Sequence, residues 1–350
     1  MSDAIAATFR VRIASMDMLP AAWAAYVSTD FLGKPVWLWV AFMAIVAALL
    51  AFDLGVLHRK QREIEVGESL ALSAGYIAIA CLFGGWVWWQ YGGLAGMDWY
   101  TGFFVEKSLS LDNVFVIALI FGYFAVPRQY QHRVLFWGIL GVIVLRGIMI
   151  SLGAALVSEF SWILYVFGAF LVLTGIKMLL ASDKPKDLAD NPLLKLLKRH
   201  LRVTPELHGQ RFFVRQPKEP GGQPVLWVTP LFLALILIEA ADLVFAVDSV
   251  PAIFAITQDP FIVYTSNIFA ILGLRALYFA LAAMIHRFHY LKYALAAVLV
   301  FIGGKIFLVN IIGKIPAVIS LSVTLGLIAT GILASLILTR QQKPAATSSS

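Results

Sequence analysis

Residues 100–125, YTGFFVEKSLSLDNVFVIALIFGYFA, form an apolar run interrupted by Glu106, Lys107, Asp112 and Asn113. At about 1.5 Å of rise per helical residue, the run is long enough to cross a hydrocarbon core of about 30 Å. A charge near the centre of a bilayer costs about 3 kcal/mol even on the lenient insertion scale. Ionisable residues in such a span therefore face a polar cavity and mark an ion or substrate path. The plain structural alternative is an Asp satisfied by an Arg from a neighbouring helix.

The pattern occurs twice. Glu106 and Asp112 are six residues apart, as are Asp242 and Asp248 in DLVFAVDSVP. Each second acid is followed by a small polar residue and Val: Asn113-Val114 and Ser249-Val250. Arg146 in VIVLRGIMI matches Arg275 in AILGLRALYF, and Lys177 in LVLTGIKMLL matches Lys305 in LVFIGGKIFL. The chain thus holds two related three-helix units.

Composition supports a polytopic membrane protein. Hydrophobic residues make up 61% and charged residues 13%, with mean hydropathy +0.85, which excludes an ordinary soluble domain. Cys81 is the single cysteine, so neither an intramolecular disulfide nor a thiolate metal cluster can form. No cleavable signal peptide is expected at the N-terminus, where Asp17, Pro20 and Asp30 break the apolar pattern.

Nine spans are expected, at 36–57, 69–91, 100–125, 134–157, 162–181, 228–256, 263–285, 293–312 and 316–338. The fold class is all-α, with two inverted three-helix repeats plus flanking helices. It divides into an extracytoplasmic segment 1–35, two leading helices 36–99, a first repeat 100–181, a basic loop 182–227, a second repeat 228–312, a final helix 313–338 and a disordered tail 339–350. Lys and Arg concentrate after alternate spans, at Arg59, Lys60, Arg62, Arg128, Arg133, Arg287, Lys292, Arg340 and Lys343. That bias places the N-terminus outside and the C-terminus in the cytoplasm. Asp98, Glu159 and Asp259 fall in the outer loops, where they attract cations weakly or serve as plain loop residues.

In the basic loop, NPLLKLLKRHLR reads as a short amphipathic helix capped by Asn191 with Pro192 at its first position. Its expected place is on anionic membrane lipids, with partner docking as the alternative and no nucleic acid involved.

Three spans per unit in direct succession make the units inverted, the usual construction of secondary transporters with a site at mid-membrane. At 100° per residue, Glu106 and Asn113 fall nearly on one line of an intact helix, as do Asp242 and Ser249, while Asp112 and Asp248 turn about 120° aside. For all four acids to converge, both motif helices must bend or unwind near Asp112 and Asp248. Pro251 favours that break, and Ser108, Ser110, Asn113 and Ser249 offer partners for freed backbone groups.

Carboxylates, an Asn amide and hydroxyls suit a hard divalent cation such as Mg²⁺, Ca²⁺ or Mn²⁺. The six histidines, His58, His132, His200, His208, His286 and His289, lie in loops or at span ends, and His286 with His289 is the one pair spaced for a metal. Arg146 and Arg275 reduce the charge of the four acids from minus four to minus two, or simply neutralise them in a packed core. Lys177 and Lys305 read as structural more than substrate-binding, and Lys107 as snorkelling to the outer interface. Glu239, one turn before Asp242, is a candidate proton acceptor or further ligand; Asp53 reads equally as an interfacial ion pair.

At these residues the sequence resembles the TerC family of integral membrane proteins. The resemblance rests on EKSLSLDNVFV, on ADLVFAVDSVPAIFAIT, on Asp53 within FDLGV and on HGQRFFVR with the following TPL, and covers residues 39–335. It implies an association with tellurium resistance, and with Mn²⁺ export in members grouped with LysE-type exporters. It also implies functional roles for Glu106, Asp112, Asn113, Asp242, Asp248, Ser249 and Asp53.

The expectation is a bacterial inner-membrane secondary transporter that exports a divalent cation, Mn²⁺ favoured, by rocking of one unit against the other. No resident cofactor, nucleotide loop or enzyme activity is expected. The alternatives are a non-transporting stress-response or tellurium-resistance scaffold and, more weakly, an oxyanion reductase.

Overall fold

The computed structural model describes residues 29–57, 66–180, 188–218, 222–281, 291–313 and 315–341. His58, His286, His289 and the tail from 342 lie outside the described residues. Two compact units emerge, residues 1–60 with 259–261, and residues 61–258 with 262–350.

The smaller unit holds a two-stranded hairpin, β1 (Asp30–Phe31) and β2 (Lys34–Pro35), leading into helix α1 (Val36–Leu57). Within it Lys34 pairs with Asp259 at 3.0 Å, and Phe261 meets the Trp39 ring edge-on at 5.2 Å between centroids.

The larger unit contains α2 (Val66–Tyr91), α3 (Gly93–Tyr123), α4 (Arg128–Glu159), α5 (Ile163–Leu180), α6 (Pro192–His200), α7 (Pro230–Phe254), α8 (Pro260–Leu272, from Ile262 onward), α9 (Leu274–Leu281), α10 (Leu291–Ile312) and α11 (Ala317–Gln341). In lipid the backbone must satisfy its own hydrogen bonds, which is why apolar runs of this length become helices. Eight segments among the described residues are long and apolar enough to cross a membrane; α8 and α9 together make one of them. Helix α3 joins them in length, at 31 residues, but carries Asp98, Glu106, Lys107 and Asp112. The chain is a polytopic all-α membrane protein.

Three expectations about local structure are corrected. First, α3 and α7 run unbroken through Asp112 and Asp248, with Pro251 accommodated in the last turn of α7. Ser108 and Ser110 donate to the carbonyls of Phe104 and Glu106 one turn back, at 2.7 Å each, and so brace an intact helix. Second, the break falls in the seventh span, at Gly273 between α8 and α9. Lys107 turns inward to this break, donating to the Ala270 carbonyl at 3.1 Å, and does not snorkel. Its ammonium satisfies a carbonyl near the C-terminal end of α8, where positive charge is favoured.

Third, the basic loop has a fold of its own. Strands β3 (Phe213–Pro217) and β4 (Pro224–Val228) form an antiparallel hairpin. Helix α6 is capped as the sequence indicates, the Asn191 side chain accepting from the Leu193 and Leu194 amides. Its apolar face is taken by the protein, however: Leu194 is 1% exposed in a cluster with Val228 and Leu231, and Leu193, Leu197 and Leu201 pack around it. Lys198 lies over the Tyr123 ring at the end of α3. The apolar side therefore does not lie on headgroups.

Helices α5 and α10 approach at their glycines. A Cβ on Gly303 would stand 2.6 Å from the Gly168 carbonyl oxygen, and one on Gly175 would stand 2.7 Å from that of Ala296. In the sequence repeat, LVLTGIKMLL against LVFIGGKIFL, Gly175 matches Gly303 and Gly168 matches Ala296. The repeat exchanges these two contacts, as a two-fold axis across an antiparallel helix pair requires.

Candidate membrane-embedded ion centre

Arg146, projecting from the middle of α4 with 0% exposure, gathers the acids of both motif helices. Its Nη2 lies 3.0 Å from Glu106 Oε1, its Nε lies 3.4 Å from Asp242 Oδ2, and its Nη1 donates to Ser249 Oγ at 2.5 Å. Asn113 Nδ2 donates to Asp242 Oδ1 at 3.0 Å, tying α3 to α7. Glu106, Asn113, Asp242 and Ser249 are each at most 5% exposed. This is the geometry of intact helices: residues seven apart lie within about 20° of one line, so Glu106 with Asn113, and Asp242 with Ser249, share a face. Two buried carboxylates on one guanidinium are sustained because Arg's fixed fork can serve several acceptors at once.

Asp248 turns the other way, as its angle requires. It accepts from Thr174 of α5 at 3.4 Å and lines a cavity of about 300 Å³ shared with Glu106, Asn113, Arg146, Ser249 and Lys177. The expected convergence of four acids at one point is therefore not seen. Glu106 and Asp242 are closed on Arg146, Asp248 lies across the cavity, and no three acidic, His or Cys side chains among the described residues surround a common point. The Asp112 and Arg275 side chains lie outside the described residues, although both positions are helical.

Two participants escape a sequence reading. Asn267 of α8 is 0% exposed and donates to Glu106 Oε2 at 3.0 Å. Thr174 holds Asp248. Asn267 ends a polar triplet, Thr265-Ser266-Asn267, inside an apolar span, the one signal that would have found it. The amide oxygens of Asn113 and Asn267 are both buried without a hydrogen-bond partner. A buried acceptor in that condition is costly and calls for a donor or a cation.

The remaining candidates separate. Glu239 lies against Gly138 and Gly141 of α4, its Oε2 buried without a hydrogen-bond donor. Lys305 donates to Ser320 of α11 at 3.4 Å, and Asp53 is buried in α1 of the smaller unit.

Comparison with known proteins agrees with this arrangement of apolar helices around buried charge. The profile of the "Integral membrane protein TerC family" matches residues 91–343, beginning where α3 begins. An uncharacterized membrane protein of Rickettsia bellii is 52% identical over 299 residues, 85% of this chain and 97% of the relative. One from Myxococcus xanthus is 48% identical over 303 residues, 87% and 93% of the two chains. A protein of Escherichia coli K12 described as "Putative membrane-bound redox modulator Alx" is 47% identical over 305 residues, 85% and 92% of the two chains. No solved structure matches the chain. With a family profile spanning most of its length and relatives of near half identity over nearly their whole length, the chain belongs to the TerC family of integral membrane proteins.

Proposed function

We propose that the protein is a secondary transporter of a hard divalent cation, with Mn²⁺ as the favoured substrate and export as the direction. The observation that carries this reading is the cavity of about 300 Å³ lined by Asp248, Asn113, Glu106 and Ser249, in which Asn113 has a buried amide oxygen without a hydrogen-bond partner. Carboxylate, amide and hydroxyl oxygens are the donor set of hard cations, and such a cation would supply the partner that the Asn113 oxygen lacks.

In this reading Asp248 is the primary ligand, with Asn113 and Ser249 beside it. Asp112, its counterpart in the first repeat, is a further ligand. Arg146 holds Glu106 and Asp242 together with one net negative charge left over, so a cation recruiting either carboxylate must draw it from the guanidinium; Arg275 is assigned the matching role in the second repeat. Glu239 and Asp53 are candidates for proton exchange. The cytoplasmic face is assigned to the basic loop, the membrane is the bacterial inner membrane, and an ion gradient drives transport.

The test is flux in liposomes loaded with a Mn²⁺-sensitive dye. Asp248→Asn is expected to reduce Mn²⁺ flux at least tenfold while the purified protein keeps its thermal midpoint. Undiminished flux in Asp248→Asn rules out the assigned role.

A further inference from the structure

A second cavity, of about 740 Å³, lies at the other end of the bundle, among the first turns of α3, the α4–α5 turn, the end of α7 and the α10–α11 turn. Its polar lining includes Asp98, Thr257 and Lys305. The Thr257 hydroxyl is within hydrogen-bonding reach of Asp98, and the Lys305 ammonium acts on it as an opposing charge.

An apolar cluster borders both cavities. Val105, Leu171, Ala252, Leu299 and Ile302 are buried together in it. Leu109 and Met178, which line the first cavity, and Ala255 and Ile256, which line the second, all pack against it. Helix α10 shows the order along a single element: Leu299 faces the first cavity, Ile302 is fully buried, and Lys305 faces the second, one turn apart each.

The lysines occupy the same position of the sequence repeat, and each lines one cavity with one aspartate and one threonine. Lys177 has Asp248 and Thr174; Lys305 has Asp98 and Thr257. Asp98 is not the repeat counterpart of Asp248, so this second set arises from the packing and was not evident in the motif.

We propose that Asp98, Thr257 and Lys305 form a second station for a hard divalent cation at the mouth opposite the basic loop, with Lys305 as the built-in competitor for Asp98. This rests on the transport reading above. Carboxylate and hydroxyl oxygens supply hard ligands. In this structure Lys305 Nζ donates to Ser320 Oγ at 3.4 Å; on the same cavity wall as Asp98, its ammonium restores charge balance there as the cation departs. A station with a resident competitor binds weakly and releases readily, which suits an exit.

The single cysteine makes the test direct. On a Cys81→Ala background, Thr257→Cys and Thr174→Cys are reconstituted in liposomes of known orientation and exposed to a membrane-impermeant maleimide on one side at a time. Thr257→Cys is expected to label from one side only and Thr174→Cys only from the other, with millimolar Mn²⁺ slowing Thr257→Cys labelling at least threefold. Labelling of both from the same side, or labelling of Thr257→Cys indifferent to Mn²⁺, overturns the proposal.

Flux provides the second arm. Lys305→Gln is expected to raise apparent Mn²⁺ affinity at that mouth at least threefold, and Asp98→Asn to lower it at least tenfold. The Thr174→Cys labelling pattern, combined with each variant, reports that the fold persists. Parental affinities in both variants overturn the second station and leave the transport reading standing; absence of flux in the parent protein overturns both.

Discussion

Arg146 lies 3.0 Å from Glu106 and 3.4 Å from Asp242, so one guanidinium holds an acid from each of the two motif helices. Removing one partner from a buried ion pair strands charge in a low dielectric, at a cost of about 3–5 kcal/mol. Arg146→Gln is expected to lower stability by that amount in detergent denaturation. Adding Glu106→Gln and Asp242→Asn to Arg146→Gln is expected to recover most of the loss without recovering Mn²⁺ flux. A triple variant no more stable than Arg146→Gln shows that the cluster is held by something other than charge.

Asp242 and Asp248 differ in environment although the motif makes them look alike. Asp242 is bound by Arg146 and Asn113, whereas Asp248 has, among the described residues, one hydrogen bond from Thr174 beside open volume. Asp242→Asn is therefore expected to lose at least 2 kcal/mol of stability together with flux, and Asp248→Asn to lose flux with less than 1 kcal/mol of stability, since charge-assisted bonds contribute about 1.5–3 kcal/mol each and a long neutral one far less. Paired thermal melts and dye flux decide this.

The α5–α10 contact leaves no room at Gly303, where a Cβ would enter the Gly168 carbonyl, but open space at the adjacent Gly304. Gly303→Val is expected to force the helices apart and prevent recovery of monodisperse protein. Gly304→Ala is expected to be neutral or stabilising by up to about 1 kcal/mol, the helix-propensity difference. Size-exclusion profiles of the two purified variants provide the comparison.

Leu194 and Leu196 test where α6 is docked. Leu194 is 1% and Leu196 54% exposed. Leu194→Ala is expected to cost about 2–5 kcal/mol, as for a buried leucine, and Leu196→Ala less than 0.5 kcal/mol in the absence of lipid. Equal effects of the two substitutions in detergent melts indicate that α6 does not rest on the bundle.

Much of the architecture was legible in the chain. The first span is observed at its expected limits, Val36–Leu57, because apolar length and the flanking polar residues define it. Asn191 and Pro192 define the start of α6 by local chemistry alone. The duplicated spacing led to Glu106, Asn113, Asp242 and Ser249, and the intact-helix angle foretold which of them share a face. Asking all four acids to meet led to unwound helices; the packing instead supplied Arg146 for two of them and sent Asp248 to Thr174. Asn267 has no periodic signal, since every face of that buried stretch is covered, and the β3–β4 pairing lies in a loop whose strands are short. The direction of the α6 apolar face depends on neighbours distant in sequence, which amphipathicity alone does not specify.

The neighbouring side chains Glu106 and Lys107 grip α8 at two points three residues apart, through Asn267 and through the Ala270 carbonyl. Helix α3 is thereby riveted to α8, and Arg146 with Asp242 does the same for α4 and α7. Any displacement of α3 against α8, or of α4 against α7, must first break these bonds, and the glycine-seamed pair α5 and α10, which carries Lys177 and Lys305, takes part in none of them.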